Sequence, residues 1–116
     1  MSGYSVNLEQ KTLENQNYRE VLFTTDRIQL VVMTLRPGEE IGMEVHEDHD
    51  QFIRVEEGEG RATLDGEEHE LEDGVAVIIP AGVEHNVVNT SDTADLRLYT
   101  IYTPPEHPQG LVQLTK

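Results

Sequence analysis

Short runs of apolar and β-branched residues, each cut off by glycine, proline or an acidic cluster, most narrow what this chain can fold into. A helical fold needs apolar residues recurring every three to four positions over several turns, and no long stripe of that kind is present. Short strands at regular spacing, with turn chemistry between them, predict an all-β sandwich or barrel. The expected strands are Glu20–Thr24, Arg27–Leu35, Glu40–His46, Asp50–Glu56, Gly60–Leu64, Glu67–Leu71, Val75–Ile79, Glu84–Asn89, Asp95–Tyr102 and Leu111–Leu114.

The punctuation between these strands is specific. Leu64-Asp65-Gly66-Glu67 has the composition of a two-residue type I′ hairpin, which needs φ > 0 at both central residues. Glu57-Gly58-Glu59-Gly60 offers two positions that tolerate the left-handed region. Pro80-Ala81-Gly82 suits a type I turn with proline second and glycine fourth. Thr103-Pro104-Pro105-Glu106-His107-Pro108 cannot be a central strand, because its prolines lack N–H donors. Met1–Gln16 is expected to fray. The 116 residues fit one domain. Its barrel core spans about 19–103, followed by a proline-rich extension over 103–116.

Composition removes several classes of function. There is no cysteine, so neither a disulfide framework nor a thiolate metal site can form. His, Asp, Glu, Gln and Asn remain as metal ligands. The formal net charge is -15, with 23 acidic against 8 basic residues and only Lys11 and Lys116 as lysines. Such a surface repels phosphate backbones, so no nucleic-acid partner is expected. No apolar run is long enough to span a bilayer and no leader-like segment opens the chain, which predicts a cytoplasmic protein without membrane contact. The acidity fits either a high-salt setting or, more simply, solubility.

Two blocks carry the chemistry. The first runs Gly38, five residues, Glu44, Val45, His46, four residues, Gln51, six residues, Gly58. The second runs Gly74, five residues, Pro80, Ala81, Gly82, two residues, His85, three residues, Asn89. Residues two apart on a strand share a face, so Glu44 and His46 point the same way. A short turn over Glu47–Asp50 returns the chain and starts Gln51 near His46. His85 opens its own strand after the Pro-Ala-Gly turn. If those strands are neighbours in a closed sheet, four polar side chains converge inside it. Unpaired, each would cost roughly 2–7 kcal/mol in an apolar setting; a metal ion resolves that cost.

These blocks resemble the paired motifs of the cupin superfamily, G-x5-H-x-H-x3-4-E-x6-G and G-x5-P-x-G-x2-H-x3-N. The second matches at every fixed position. The first matches in spacing but has Glu44 where the family usually has a histidine and Gln51 where it usually has glutamate. The resemblance implies a double-stranded β-helix (cupin, jelly-roll) barrel and a metal site of Glu44, His46, Gln51 and His85. The ligand charge is unchanged by the exchange: the carboxylate has moved, and an amide oxygen replaces one imidazole. Two oxygens and two nitrogens make a harder site, suited to Mn, Fe, Co, Ni or Zn as the divalent ion.

Other residues receive plainer expectations. His49 falls in the expected turn beside Glu47, Asp48 and Asp50 and should lie at the surface, a substitute ligand only if that turn is longer than the spacing suggests. His69, among Glu67, Glu68 and Glu70, should be a solvated strand residue. Tyr102–Gly110 resembles a Tyr-x-Pro-Pro-x-His element of some small cupins. It either crosses the barrel and brings Tyr102 or His107 toward the pocket or, as favoured here, packs on the outer sheet. Arg36, Arg54, Arg61 and Arg97 are the cations available for an anionic ligand, Arg54 pointing outward. Parity turns Gln51, Ile53 and Val55 inward and Phe52 and Arg54 outward. Met43, Val45 and Phe52 are expected to form one outer apolar patch, covered by a second copy in a homodimer. Leu30–Met33 is apolar on both faces, as in a strand covered on both sides.

The expected function is that of a metal-binding small cupin, a metal-dependent isomerase, lyase or dioxygenase acting on a small oxygenated metabolite such as a sugar-derived acid. The alternative is a non-catalytic cupin that binds or senses a small ligand.

Overall fold

The computed structural model describes residues 2–116. One helix, α1 (Leu8–Glu14), precedes nine strands: β1 (Arg19–Thr24), β2 (Gln29–Leu35), β3 (Asp50–Glu57), β4 (Glu59–Leu64), β5 (Glu67–Glu72), β6 (Ala76–Ile79), β7 (His85–Asn89), β8 (Leu96–Thr103) and β9 (Val112–Gln113). All named strand pairs are antiparallel. They form a six-stranded sheet, β6-β3-β8-β2-β1-β9, and a three-stranded sheet, β5-β4-β7. Between the sheets lies one apolar cluster, with Val31, Met33, Leu35, Ile53, Val55, Leu96 and Leu98 from the large sheet and Ala62, Leu71 and Val87 from the small one. The result is an all-β barrel, as the strand spacing predicts, and of the jelly-roll kind that the resemblance implies.

Alternation along the strands sets what faces this core. Gln51, Ile53 and Val55 are buried while Phe52 and Arg54 are only partly so, as parity requires. The expected strand at 40–46 is looser than a ladder. Only Glu40 and Glu44 bridge to β7, opposite Val88 and His85. Gly42 between them has φ +109, and its N–H goes to the Asn86 side chain instead.

Turn chemistry explains the corners. Asp65 and Gly66 both have positive φ, 46° and 83°, the type I′ geometry. At Gly58, φ is +95 and an added Cβ would sit 2.4 Å from the Asp95 carbonyl oxygen, so only glycine fits. The Pro80 corner departs from expectation. Val83 N–H bonds the Pro80 carbonyl, and Gly82 has φ +87. That is a type II turn with proline first and glycine third, not a type I turn with proline second.

The N-terminal segment is a correction. It forms α1, capped by the Asn7 side chain, which accepts the Gln10 N–H. Asn15 and Gln16 are then tied to the barrel by Thr34, Arg36 and Arg97. The helix lies against β2, β3 and β8. Val32, on the outer face of β2, is fully buried. So the strand that reads as apolar on both faces is covered by the chain's own helix at this level, not by another copy.

The expected outer patch of Met43, Val45 and Phe52 is also corrected. All three face outward, but Met43 and Val45 flank the Glu44 bridge to β7 beside the small sheet, whereas Phe52 is on the large one. The large sheet instead carries a row of apolar neighbours across five strands: Ile78, Phe52, Ile101, Leu30 and Phe23. Tyr4 stacks on Phe23 at 4.8 Å.

Candidate metal centre

The end of the barrel where β3 begins and β8 finishes gathers most of the chain's ionisable interior groups. Glu44 and His85 are held opposite each other by two backbone hydrogen bonds, 2.8 and 2.9 Å. The backbone carbonyl of His46 accepts the Gly82 N–H at 2.8 Å, so the Pro80 turn braces the segment that carries the first histidine. His46 Nε2 lies 3.1 Å from Glu44 Oε2, and the His46 and His85 rings are 5.3 Å apart. Gln51 turns inward from β3, across from Tyr102, and is buried.

His85 and Gln51 each have one polar atom committed and one left over, while both ring nitrogens of His46 face carboxylates. His85 Nδ1 lies 2.9 Å from the Val83 carbonyl oxygen, which fixes Nδ1 as the protonated nitrogen and leaves the Nε2 lone pair free. His46 Nδ1 lies 3.0 Å from Glu106 Oε2, so its Nε2 is the nitrogen presented toward Glu44. Gln51 Nε2 donates to Thr100 Oγ1 at 3.0 Å, while Gln51 Oε1 is buried with no partner. An orphaned buried carbonyl oxygen and two oriented imidazole nitrogens beside a carboxylate are a donor set that fits a divalent cation. The carboxylate on His46 Nδ1 is the outer partner that metal-bound histidines commonly have.

Two groups here differ from the sequence expectations. His49 is not at the surface. Its ring lies 4.4 Å from the His46 ring and edge-on to Tyr102 at 5.3 Å, and its Nε2 is buried without a partner. One ligand atom each from His46, His49 and Glu106 lies within 4.8 Å of the others, so this trio too could hold a metal ion. The 104–108 segment does not pack on the outer sheet; it crosses the barrel mouth. The buried Gln29 side chain pins it, accepting the N–H groups of Glu106 and His107 at 3.2 and 2.9 Å and donating to the His107 carbonyl at 2.8 Å. His107 Nε2 then stands 3.4 Å from the Tyr102 hydroxyl.

Burial sets the electrostatics of that contact. It pushes the Tyr102 phenol up, with Glu44 and Glu106 adding to the rise and Arg19 opposing it. Burial, followed by the charge of Arg19, lowers His107 to about 4, so its ring is neutral at physiological pH. The four arginines expected as anion sites all face away from the mouth and pair with acids: Arg36 with Asp95, Arg54 with Glu56, Arg61 with Glu68 and Glu70, Arg97 with Glu57 and Asp95. His69 is a half-exposed strand residue, 3.0 Å from Glu67, as expected.

Residues 31–102 match the cupin domain family. The chain belongs to the cupin family. It is 44% identical to the uncharacterized protein L612 of Acanthamoeba polyphaga mimivirus over 97% of this cupin and 72% of the relative. It is 40% identical to the uncharacterized protein YrkC of Bacillus subtilis (strain 168), again over 97% of its own length but only 63% of YrkC. The crystal structure of BH2720 from Bacillus halodurans is similar at a TM-score of 0.95, with 42% identity, covering 98% of this cupin and 90% of that chain. Cupins often bind a metal, which agrees with the donor chemistry at the mouth. No helix among the described residues is long and apolar enough to cross a membrane.

Proposed function

We propose that this cupin holds one divalent metal ion through Glu44, His46, Gln51 and His85 and is a metal-dependent enzyme acting on a small oxygenated metabolite, such as a sugar-derived acid. The observation that carries the proposal is the unpartnered, buried Gln51 Oε1. A neutral amide turned into a barrel with its oxygen unpaired is costly, and a cation removes the cost. Imidazole and oxygen donors together suit Mn, Fe, Co, Ni or Zn. Bound there, such an ion supplies Lewis acidity toward a carbonyl or carboxylate oxygen. The chain's own residues do the rest. Glu106 orients His46, Val83 orients His85, and the strap over the mouth limits water entry. A second ligand set, His46, His49 and Glu106, is favoured by the closeness of its three donor atoms.

Metal content and turnover test the proposal together. Protein purified without chelator is expected to carry about one equivalent of metal per chain and, loaded with manganese, iron, nickel or zinc, to convert at least one member of a hydroxy-acid and sugar panel. Oxygen uptake would separate dioxygenase chemistry from isomerase or lyase chemistry. Metal without turnover across the panel would favour the binding or sensing role, and absence of metal would reject the site.

We also propose that the row Ile78, Phe52, Ile101, Leu30 and Phe23 pairs with the same row of a second copy. Ile78 is 66% exposed and the nearby Ile28 44%, and contiguous apolar surface marks an interaction site. A face that is apolar across its width is self-complementary, as a two-fold contact requires. It also suits a chain of net charge -15, because the contact brings together the part of the surface with few charges. Sedimentation equilibrium should give a two-chain mass, and Phe52→Glu should return it to one.

A further inference from the structure

Seven of the eight cations of this chain have an evident place. Lys11, Arg36, Arg54, Arg61 and Arg97 each meet a carboxylate, and Arg27 and Lys116 stand in water. Arg19 differs. It opens β1 opposite Met33, and cross-strand partners project from one face of a sheet. Met33 is fully buried in the core, so the Arg19 side chain leaves the strand on the interior side. Its Nη1 donates to Gln113 Oε1 at 2.6 Å, and its Cζ stands 5.1 Å from the centre of the Tyr18 ring. Its Nε is buried and has no partner. Among the described residues no carboxylate pairs with it, in a chain that has 23 of them.

The guanidinium looks into the same interior as the candidate metal ligands. Arg19 is the strongest charge acting on Tyr18, Tyr102 and His107, and Glu44 acts on Tyr18 and Tyr102 as well. Gln113 occupies Nη1 and fixes the plane of the group. The edge formed by Nε and Nη2 is the one that grips a carboxylate side-on, with two parallel N–H···O bonds. Net charge points the same way. A divalent ion on Glu44 leaves one positive charge, Glu106 cancels it, and Arg19 restores one.

We infer that Arg19 is the carboxylate-binding residue of this site, and that the ligand is a small hydroxy- or oxo-carboxylate. Its acid group is held by Arg19 while a second oxygen turns toward Glu44, His46, Gln51 and His85. The placing of the second oxygen rests on the metal site proposed above; the placing of the carboxylate does not.

Calorimetric titration tests this with pyruvate, glycolate and galacturonate, each beside its uncharged methyl ester. Wild type, Arg19→Gln and Arg19→Lys are titrated both manganese-loaded and after chelation, with metal content and melting temperature recorded for each. At least one acid is expected to bind the wild type and to lose about tenfold to a hundredfold in affinity in Arg19→Gln. Its ester should bind both proteins equally weakly. Arg19→Lys, which keeps the charge but loses the fork, should fall between them, and metal content should not change. Equal affinity of wild type and Arg19→Gln for every acid that binds, or no binding of any acid by wild type, would overturn the inference. Should wild type carry no metal, the metal site fails while the comparison in chelated protein still decides Arg19. Arg19→Lys also serves if Arg19→Gln does not fold.

Discussion

A chain carrying His46→Ala and His85→Ala should come through purification with almost none of the metal that the wild type carries. Disturbing a residue that merely orients a metal-bound histidine costs about tenfold to a hundredfold in affinity. Removing two direct nitrogen donors should cost at least the product of two such effects, roughly a hundredfold to ten-thousand-fold. Stability gives a second readout. An ion at about a thousand times its dissociation constant stabilises the folded state by about 4 kcal/mol. For a domain of this size that is roughly 10 °C or more in melting temperature. Chelation should therefore lower the wild-type melting temperature and leave the double variant unmoved. The single variants separate the two ligand sets. His85→Ala depletes the metal if Glu44, His46, Gln51 and His85 hold it, whereas His49→Ala depletes it if His46, His49 and Glu106 do. Wild-type metal content in the double variant would reject both.

Gln29→Leu should be the most damaging single change at a residue that is not itself a candidate ligand. The Gln29 side chain is fully buried and makes four hydrogen bonds: to Thr24 Oγ1, to the N–H groups of Glu106 and His107, and to the His107 carbonyl. Leucine fills a similar volume but satisfies none of them. Each buried group left unpaired costs about 1–3 kcal/mol, so the chain either loses about 3 kcal/mol or more, or lets the 104–108 strap lift into water. The second outcome spreads the damage, because the strap carries Glu106 to within 3.0 Å of His46 Nδ1. Metal affinity should then fall by about tenfold to a hundredfold. Thermal melting reads the first effect, amide exchange at Glu106 and His107 the second, and competition with a chelator the third. A variant with wild-type melting temperature, exchange and affinity would show that the strap is held by something other than Gln29.

The parts of this cupin visible in its sequence are those fixed by local chemistry. A type I′ turn needs two residues that accept positive φ, so Asp65-Gly66 announces itself. Alternation decides which face a strand residue takes, so the inward turn of Gln51 and the outward turn of Phe52 follow from parity. Alternation does not say which sheet a strand joins, so parity alone cannot separate Met43 and Val45 from Phe52, which lies on the other sheet. Helix α1 buries little more than Thr12 and has no apolar stripe to detect. Its signal was instead the cap, Asn7 followed three residues later by Gln10. Glu106 and His49 reach the site through the path of the C-terminal strap and the width of a loop, which depend on contacts distant in sequence. For Arg19 the margin is one residue: the expected first strand starts at Glu20, whereas β1 starts at Arg19, and only a residue within the strand has a face.

Helix α1 shields only one half of the large sheet, at the level of Val32 and Thr34. The half that the helix leaves, where Tyr4 stacks on Phe23, lies directly behind Gln51, Tyr102 and Gln29. Any union of two molecules through that half would set their candidate metal-site ends back to back, with only a β-layer from each between them. Filling one barrel would then press on the wall of the other, giving two otherwise independent sites a short mechanical route by which to sense each other's occupancy.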